Sequence, residues 1–196
     1  MAFYIISILG SDLLICLVNI LVNKYFFNLS ILYIVLACVL GAVGVIAIDG
    51  LIAFFIRRAL PEKKFDYHNK RFAASKKECA FYDFLRIKDW KDRILELGVF
   101  TGFSKKSIYA PQDRAYVERF ILECNYGSCI HLWNALGGFL LIFAYPLKYI
   151  FCFGLPIACV NAFLSMLPFM VLRYNVNRLY RLRDILEKKE NRSKEK

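Results

Sequence analysis

The sequence predicts an all-α integral membrane protein with about four transmembrane helices and a cytoplasmic amphipathic, interfacial helical segment. Three observations carry that class. Fifty-nine per cent of the 196 residues are hydrophobic, which is heavy for a soluble domain of this size. Four apolar runs approach or exceed the roughly 20 residues needed to cross about 30 Å of hydrocarbon. The 27 Lys and Arg residues are also segregated: sixteen lie between Arg57 and Arg119 and nine from Arg173 onward, leaving only Lys24 and Lys148 elsewhere. Basic segments beside a span stay on the cytoplasmic side, because moving them across the membrane is disfavoured. Four spans then place both basic blocks and both termini in the cytoplasm, with Lys24 and Lys148 in short outer loops. The competing class is a soluble helical bundle.

The chain reads as one membrane domain, 1–196, with spans at about 3–22, 29–56, 128–147 and 150–172. The first run has no basic leader and carries Asp12, so it reads as a retained span rather than a cleaved signal. Ser7, Ser11, Asn19 and Asn23 recur along it at multiples of four, with Asp12 beside them. An unpaired Asp at mid-membrane costs about 2.5–3.5 kcal/mol on insertion scales, so Asp12 is expected to face the bundle. In the second span Ala37, Gly41 and Gly44 are small enough for close helix contact, and Asp49 follows. Both acids read first as structural partners between helices.

The cytoplasmic connection spans 57–127. Within it Phe84, Ile87, Trp90, Ile94 and Leu97 recur at spacings of three and four, predicting a helix with one apolar face. Arg86, Lys88, Lys91 and Arg93 occupy its other faces, as in a helix lying at a membrane surface. Gly98 is its expected end, and Gly102-Phe103-Ser104-Lys105-Lys106-Ser107 follows as a cationic turn.

The third span is led by a polar stretch. Arg119 and Glu123 are four apart, the spacing of an intrahelical ion pair, and Ser128, His131 and Asn134 follow at spacings of three. On a continuous helix Glu123 and His131 share roughly one side, about 12 Å apart along the axis. A break at Gly127 would instead bring them together. A histidine at a span boundary is also a common structural hydrogen-bonding group, and that reading stands beside a chemical one. The last span carries Asn161, Ser165 and Pro168, then runs into Arg173-Tyr174-Asn175-Val176-Asn177-Arg178 and the basic tail 173–196.

The net charge of +11 is carried by residues that flank spans and mix with aromatics. That suits anionic head groups or a phosphate-bearing substrate rather than nucleic acid. Cys16, Cys38, Cys152 and Cys159 lie in apolar runs and read as small hydrophobes. Cys79, Cys124 and Cys129 show no metal-site spacing, so no metal is expected.

Three blocks in order then carry a family resemblance over roughly 65–187. They are Leu85-Arg86-Ile87-Lys88-Asp89-Trp90-Lys91-Asp92 running toward Gly102-Phe103-Ser104-Lys105-Lys106; Phe120-Ile121-Leu122-Glu123 with His131 and Trp133; and Pro168 with Arg173-Tyr174-Asn175 and Arg178-Leu179. In these the chain resembles the glycosyl-4,4'-diaponeurosporenoate acyltransferase family, small integral membrane enzymes of bacterial carotenoid biosynthesis. It departs from the family pattern at Tyr126 and Ser128, where an Arg and a second Glu are usual. Leu132 separates His131 from Trp133, and Val176-Asn177 stands in place of Arg-Pro.

The resemblance implies transfer of a fatty acyl group from a thioester carrier to a hydroxyl of a lipid or glycolipid acceptor. The site would lie at the cytoplasmic face of a bacterial plasma membrane. The co-substrate is an acyl-CoA or acyl-carrier thioester, with no other cofactor, and the partners are membrane lipid and acyl donor. Such chemistry needs a base, an oxyanion donor and cations for the carrier's phosphates. The expected catalytic residues are His131 as base, with Glu123 orienting it or contacting substrate. Arg173, Arg178, Lys105 and Lys106 would bind phosphate, Asn175 or Tyr174 would donate to the oxyanion, and Trp90 would set depth in the interface. The departures at Tyr126 and Ser128 favour the alternative, a non-catalytic membrane protein that binds lipid or a partner bundle through the same polar site.

Overall fold

The computed structural model describes residues 2–94 and 108–194. The chain is 86% helical, with no strand among the described residues. Among the described residues six α-helices follow in order: α1 Ala2–Phe26, α2 Ile31–Ala59, α3 Lys76–Phe84, α4 Ile87–Trp90, α5 Arg114–Gly137 and α6 Leu155–Lys194. Four stretches are long and apolar enough to cross a membrane: Ile6–Asn23, Ile31–Ala59, Arg114–Ala144 and Leu147–Lys194. The predicted class of a four-span helical membrane protein is the one observed.

Two compact units divide the chain. The first comprises Met1–Phe55 and Leu132–Met166, and the second Ile56–His131 and Leu167–Lys196. In the first unit the outward surface is apolar. Leu9, Leu13, Leu17 and Leu21, one per turn of α1, are 64%, 59%, 48% and 73% exposed. A continuous apolar face of this kind suits lipid rather than water.

Polar side chains knit this unit inside. Asn19 Nδ2 donates to Ile15 O and, across the bundle, to Cys152 O, both at 2.8 Å. Asn23 closes the α1–α2 turn: its Nδ2 donates to Leu29 O and its Oδ1 accepts from Leu29 N, both at 2.7 Å. Asn28 takes the left-handed conformation there, φ 50°, which asparagine tolerates better than most residues. Tyr145 Oη donates to Ala37 O at 2.6 Å, in space left beside Gly41 by its missing side chain. Asn161 Nδ2 donates to Asp49 Oδ1 and to Asn134 O, both at 3.2 Å. Asp49 is therefore the interhelical partner its position suggested. Asp12 Oδ1 is buried, without a hydrogen-bond partner among the described residues.

The second unit is built on α5 and α6. Val117, Phe120, Ile121 and Cys124 pack with Val176, Leu179 and Leu186. Early residues of α5 meet late residues of α6, as in Arg114–Glu190 at 2.9 Å. Gly127, further along α5, lies against Leu172, earlier on α6. The two helices are therefore antiparallel here. Pro168 sits inside α6 without ending it.

One expectation is corrected, and one open alternative is decided. The apolar pattern from Phe84 to Ile94 is not one helix: α3 ends at Phe84, Arg86 is left-handed at φ 51°, and α4 and a 3-10 turn, Lys91–Arg93, follow. Of the apolar residues in that pattern, Ile87 and Ile94 are buried while Phe84 stays 81% exposed. Leu97 and Gly98 lie outside the described residues. The break considered at Gly127 is also absent, because α5 is unbroken from Arg114 to Gly137. The glycine serves instead for close approach of Leu172.

Candidate functional site

The second unit holds every described Lys and Arg except Lys24 and Lys148, and the predicted site residues that the structure describes lie in it. Three anchorages set their positions. The segment after α2 is held to α5 by Tyr126, whose Oη donates to Leu60 O at 2.9 Å and whose ring stacks on Phe65 at 4.1 Å. Beside it Asn125 Nδ2 donates to Phe65 O at 2.7 Å.

The second anchorage is α3 on α6. Arg173 grips Glu78 with two parallel bonds, Nε to Oε1 at 2.8 Å and Nη2 to Oε2 at 2.7 Å, the fork geometry that makes arginine–carboxylate pairs strong. Its Nη1 donates to Phe72 O, and Tyr82 Oη donates to the same Glu78 carboxylate. Burial pushes the Glu78 carboxyl up, but the bonds from Arg173 and Tyr82 more than offset this and leave it below the usual carboxylate range. Asn177 adds a clamp that the sequence reading missed. It accepts from Ala74 N at 2.8 Å and donates to Ala74 O at 3.2 Å and Cys79 Sγ at 2.9 Å.

The third anchorage is the turn at Arg86. Trp90 Nε1 donates to Leu85 O at 3.0 Å and closes it. Lys91 is thereby carried to α6, its Nζ 3.5 Å from Asn175 Oδ1 and 6.0 Å from the Tyr174 ring centroid. Two blocks more than eighty residues apart in sequence thus meet in space.

On α5 the expected Arg119–Glu123 pair forms at 3.0 Å, and Arg57 binds the other carboxylate oxygen at 2.9 Å. Arg119 continues to Glu62 at 3.2 Å, and Arg57 also lies over the Tyr126 ring at 5.4 Å. Glu123 is thus fixed by two cations, with only 11% of its side chain exposed. His131 stands eight residues along the same unbroken helix, half-buried, with no hydrogen-bond partner among the described residues. The pair do not converge, as expected for a continuous helix.

The remaining predicted residues divide by occupation. Arg173 is committed to Glu78, and the Trp90 indole to its own turn. Arg178 is exposed and Tyr174 half-buried. Asn175 is 9% exposed, and its Nδ2 is buried with no partner among the described residues. Lys105 and Lys106 lie outside the described residues. At the two departures from the family pattern the side chains are structurally engaged: Tyr126 as above, and Ser128, 2% exposed, through its Oγ to Cys124 O at 2.8 Å. Only repeated contacts, not spacing, could have revealed Asn177, Asn125 and Lys91.

Residues 61–185 match the model of the glycosyl-4,4'-diaponeurosporenoate acyltransferase family. The chain belongs to that family. The matched segment begins at the turn after α2 and runs through most of α6, so it takes in the anchorages but for Leu60, together with Glu123 and His131, and leaves α1 and α2 outside. No curated protein and no solved structure matches the chain. The family's name suggests acyltransferase activity on a glycosylated carotenoid.

Proposed function

We propose that this protein transfers a fatty acyl group from a thioester carrier to a sugar hydroxyl of a glycosylated, long-chain lipid acceptor at the cytoplasmic face of the membrane. The observation that carries the reading is the α5 arrangement inside the family-matched segment: an immobilised Glu123 and, two turns on, an unpaired-among-described-residues His131 on one unbroken helix. His131 takes the acceptor hydroxyl's proton as that oxygen attacks the thioester carbonyl. The resulting oxyanion receives a hydrogen bond from Tyr174. The C–S bond then breaks, and the departing thiolate takes the proton back from His131.

The 12 Å or so between Glu123 and His131 along a helix gives Glu123 a different task from orienting the imidazole. With its charge balanced by Arg57 and Arg119, it contacts acceptor hydroxyls and holds the wall of the site. Arg173 positions Tyr174, Asn175 and Arg178 by locking α6 to α3, and Arg178, Lys105 and Lys106 attract the carrier's phosphates.

The test is incubation of the protein in bilayer discs with radiolabelled acyl-CoA and a total lipid extract, beside His131→Ala. A positioned general base contributes about 10²–10⁴-fold, so labelled product is expected to fall at least about 100-fold in the variant. Product formed equally by both would remove His131 from the chemistry.

A specific observation favours a second reading, a lipid-binding protein without catalysis: the positions of Tyr126 and Ser128 are filled by groups engaged in packing. Under it, neither protein makes product, and native mass spectra show retained phospholipid and no acyl thioester.

A further inference from the structure

We infer that Lys91 and the side-chain amide of Asn175 form a binding site for a phosphate ester. One donor here has no acceptor and its neighbour has only a long one. Asn175 is 9% exposed, and its Nδ2 is buried without a partner among the described residues. Its other atom, Oδ1, is 3.5 Å from Lys91 Nζ, the outer limit of a hydrogen bond. The ammonium itself leans over Tyr174 at 6.0 Å rather than on a carboxylate.

Two of the acids near it are used elsewhere. Asp89 pairs with Arg86 at 2.7 Å, and Glu78 is taken by Arg173 and Tyr82. Asp92 is exposed and forms no ion pair among the described residues. A buried amide N–H₂ beside an ammonium is a set of donors only, and its complement is an anion with several acceptor oxygens. Lysine meets phosphate as a compact charge. Arg178, exposed and three residues further along α6 from Asn175, adds a second positive charge, which suits a phosphate better than a single carboxylate.

The site does not depend on acyl transfer. A phosphate ester reaches it either as the head group of an anionic lipid or as the phosphate of a thioester carrier, and the two sources are separable. Full-length protein in phosphatidylcholine discs is titrated with coenzyme A. In a second arm, discs doped with phosphatidylglycerol are examined by native mass spectrometry for retained lipid. Lys91→Gln is expected to weaken binding at least about tenfold in one arm, in line with loss of a charge-assisted hydrogen bond, and the arm affected names the source.

Asn175→Asp is the control for folding. It places a carboxylate against Lys91, so the thermal midpoint is expected to hold or rise while anion binding is lost. Wild-type binding by both variants in both arms would overturn the site, as would no binding by the wild type. His131→Ala is expected to bind as wild type does; wild-type protein that binds through Lys91 yet makes no acyl product would sink the transferase reading and leave this one standing.

Discussion

Glu123 and Glu78 are both acids held by arginine, yet their surroundings give them different consequences when changed. Glu123 faces two arginines whose side chains are each 49% exposed, so water can take over much of what Glu123→Gln removes. That variant is expected to lose about 1–2 kcal/mol of stability, the lower part of the range of charge-assisted hydrogen bonds and below it, measured as a modest fall in the thermal midpoint. Its larger effect is on turnover if Glu123 contacts the acceptor; unchanged KM and kcat would confine it to structure.

Glu78 leaves behind a different partner. Arg173 is only 12% exposed, and Glu78→Gln strands a mostly buried guanidinium, for which about 3 kcal/mol is expected. Folding lowers the Glu78 pKa, so its contribution is fully present above the usual value of 4.5 and is lost as pH falls through the lowered native value. The stability gap between wild type and Glu78→Gln is therefore expected to close on acidification below 4.5; a gap constant down to the acid limit would deny the ion pair its role.

At the scale of elements, the junction between α3 and α4 decides where Lys91 lies. Arg86 occupies the left-handed region at φ 51°, which costs a non-glycine residue about 1–2 kcal/mol. Arg86→Val, β-branched, is expected to be less stable than Arg86→Gly by at least that amount, and to release Trp90 from Leu85 O as a change in indole fluorescence. Equal stability of the two would mean the turn is not held in this conformation. This junction was also where periodicity misled. Apolar residues at three- and four-residue spacing suit a helix, but they suit equally a helix, a left-handed turn and a second short helix that bury Ile87 and Ile94 from different directions. The four long helices were legible because hydrocarbon thickness sets their length. The pair Arg119–Glu123 was legible because it is local. Arg57 on Glu123, Glu78 on Arg173 and Asn177 on Ala74 were not, since each joins residues far apart in sequence through tertiary packing alone. The candidate residues on α5 and α6 could be named from their types and the family resemblance, but whether each was vacant or committed could only come from its neighbours.

Across the whole molecule the division of charge is the organising fact. One unit contains Lys24 and Lys148 and presents leucines outward, while the other holds every remaining described Lys and Arg. Moving a Lys or Arg to mid-membrane costs about 2.5–3.5 kcal/mol on insertion scales, so transfer of the basic unit across the bilayer would be opposed many times over. The expected orientation translocates only Lys24 and Lys148, which oppose it far less. The expected topology therefore has Lys24 and Lys148 outside and the tail of α6 in the cytoplasm. In a background lacking the seven native cysteines, Lys24→Cys and Lys148→Cys are expected to react with a membrane-impermeant maleimide in intact cells. Lys189→Cys is expected to react only after permeabilisation. Labelling of Lys189→Cys in intact cells, with the two loop positions protected, would invert the protein. It would also carry the phosphate site and His131 away from the compartment where acyl thioesters are made, leaving lipid binding as the reading consistent with the fold.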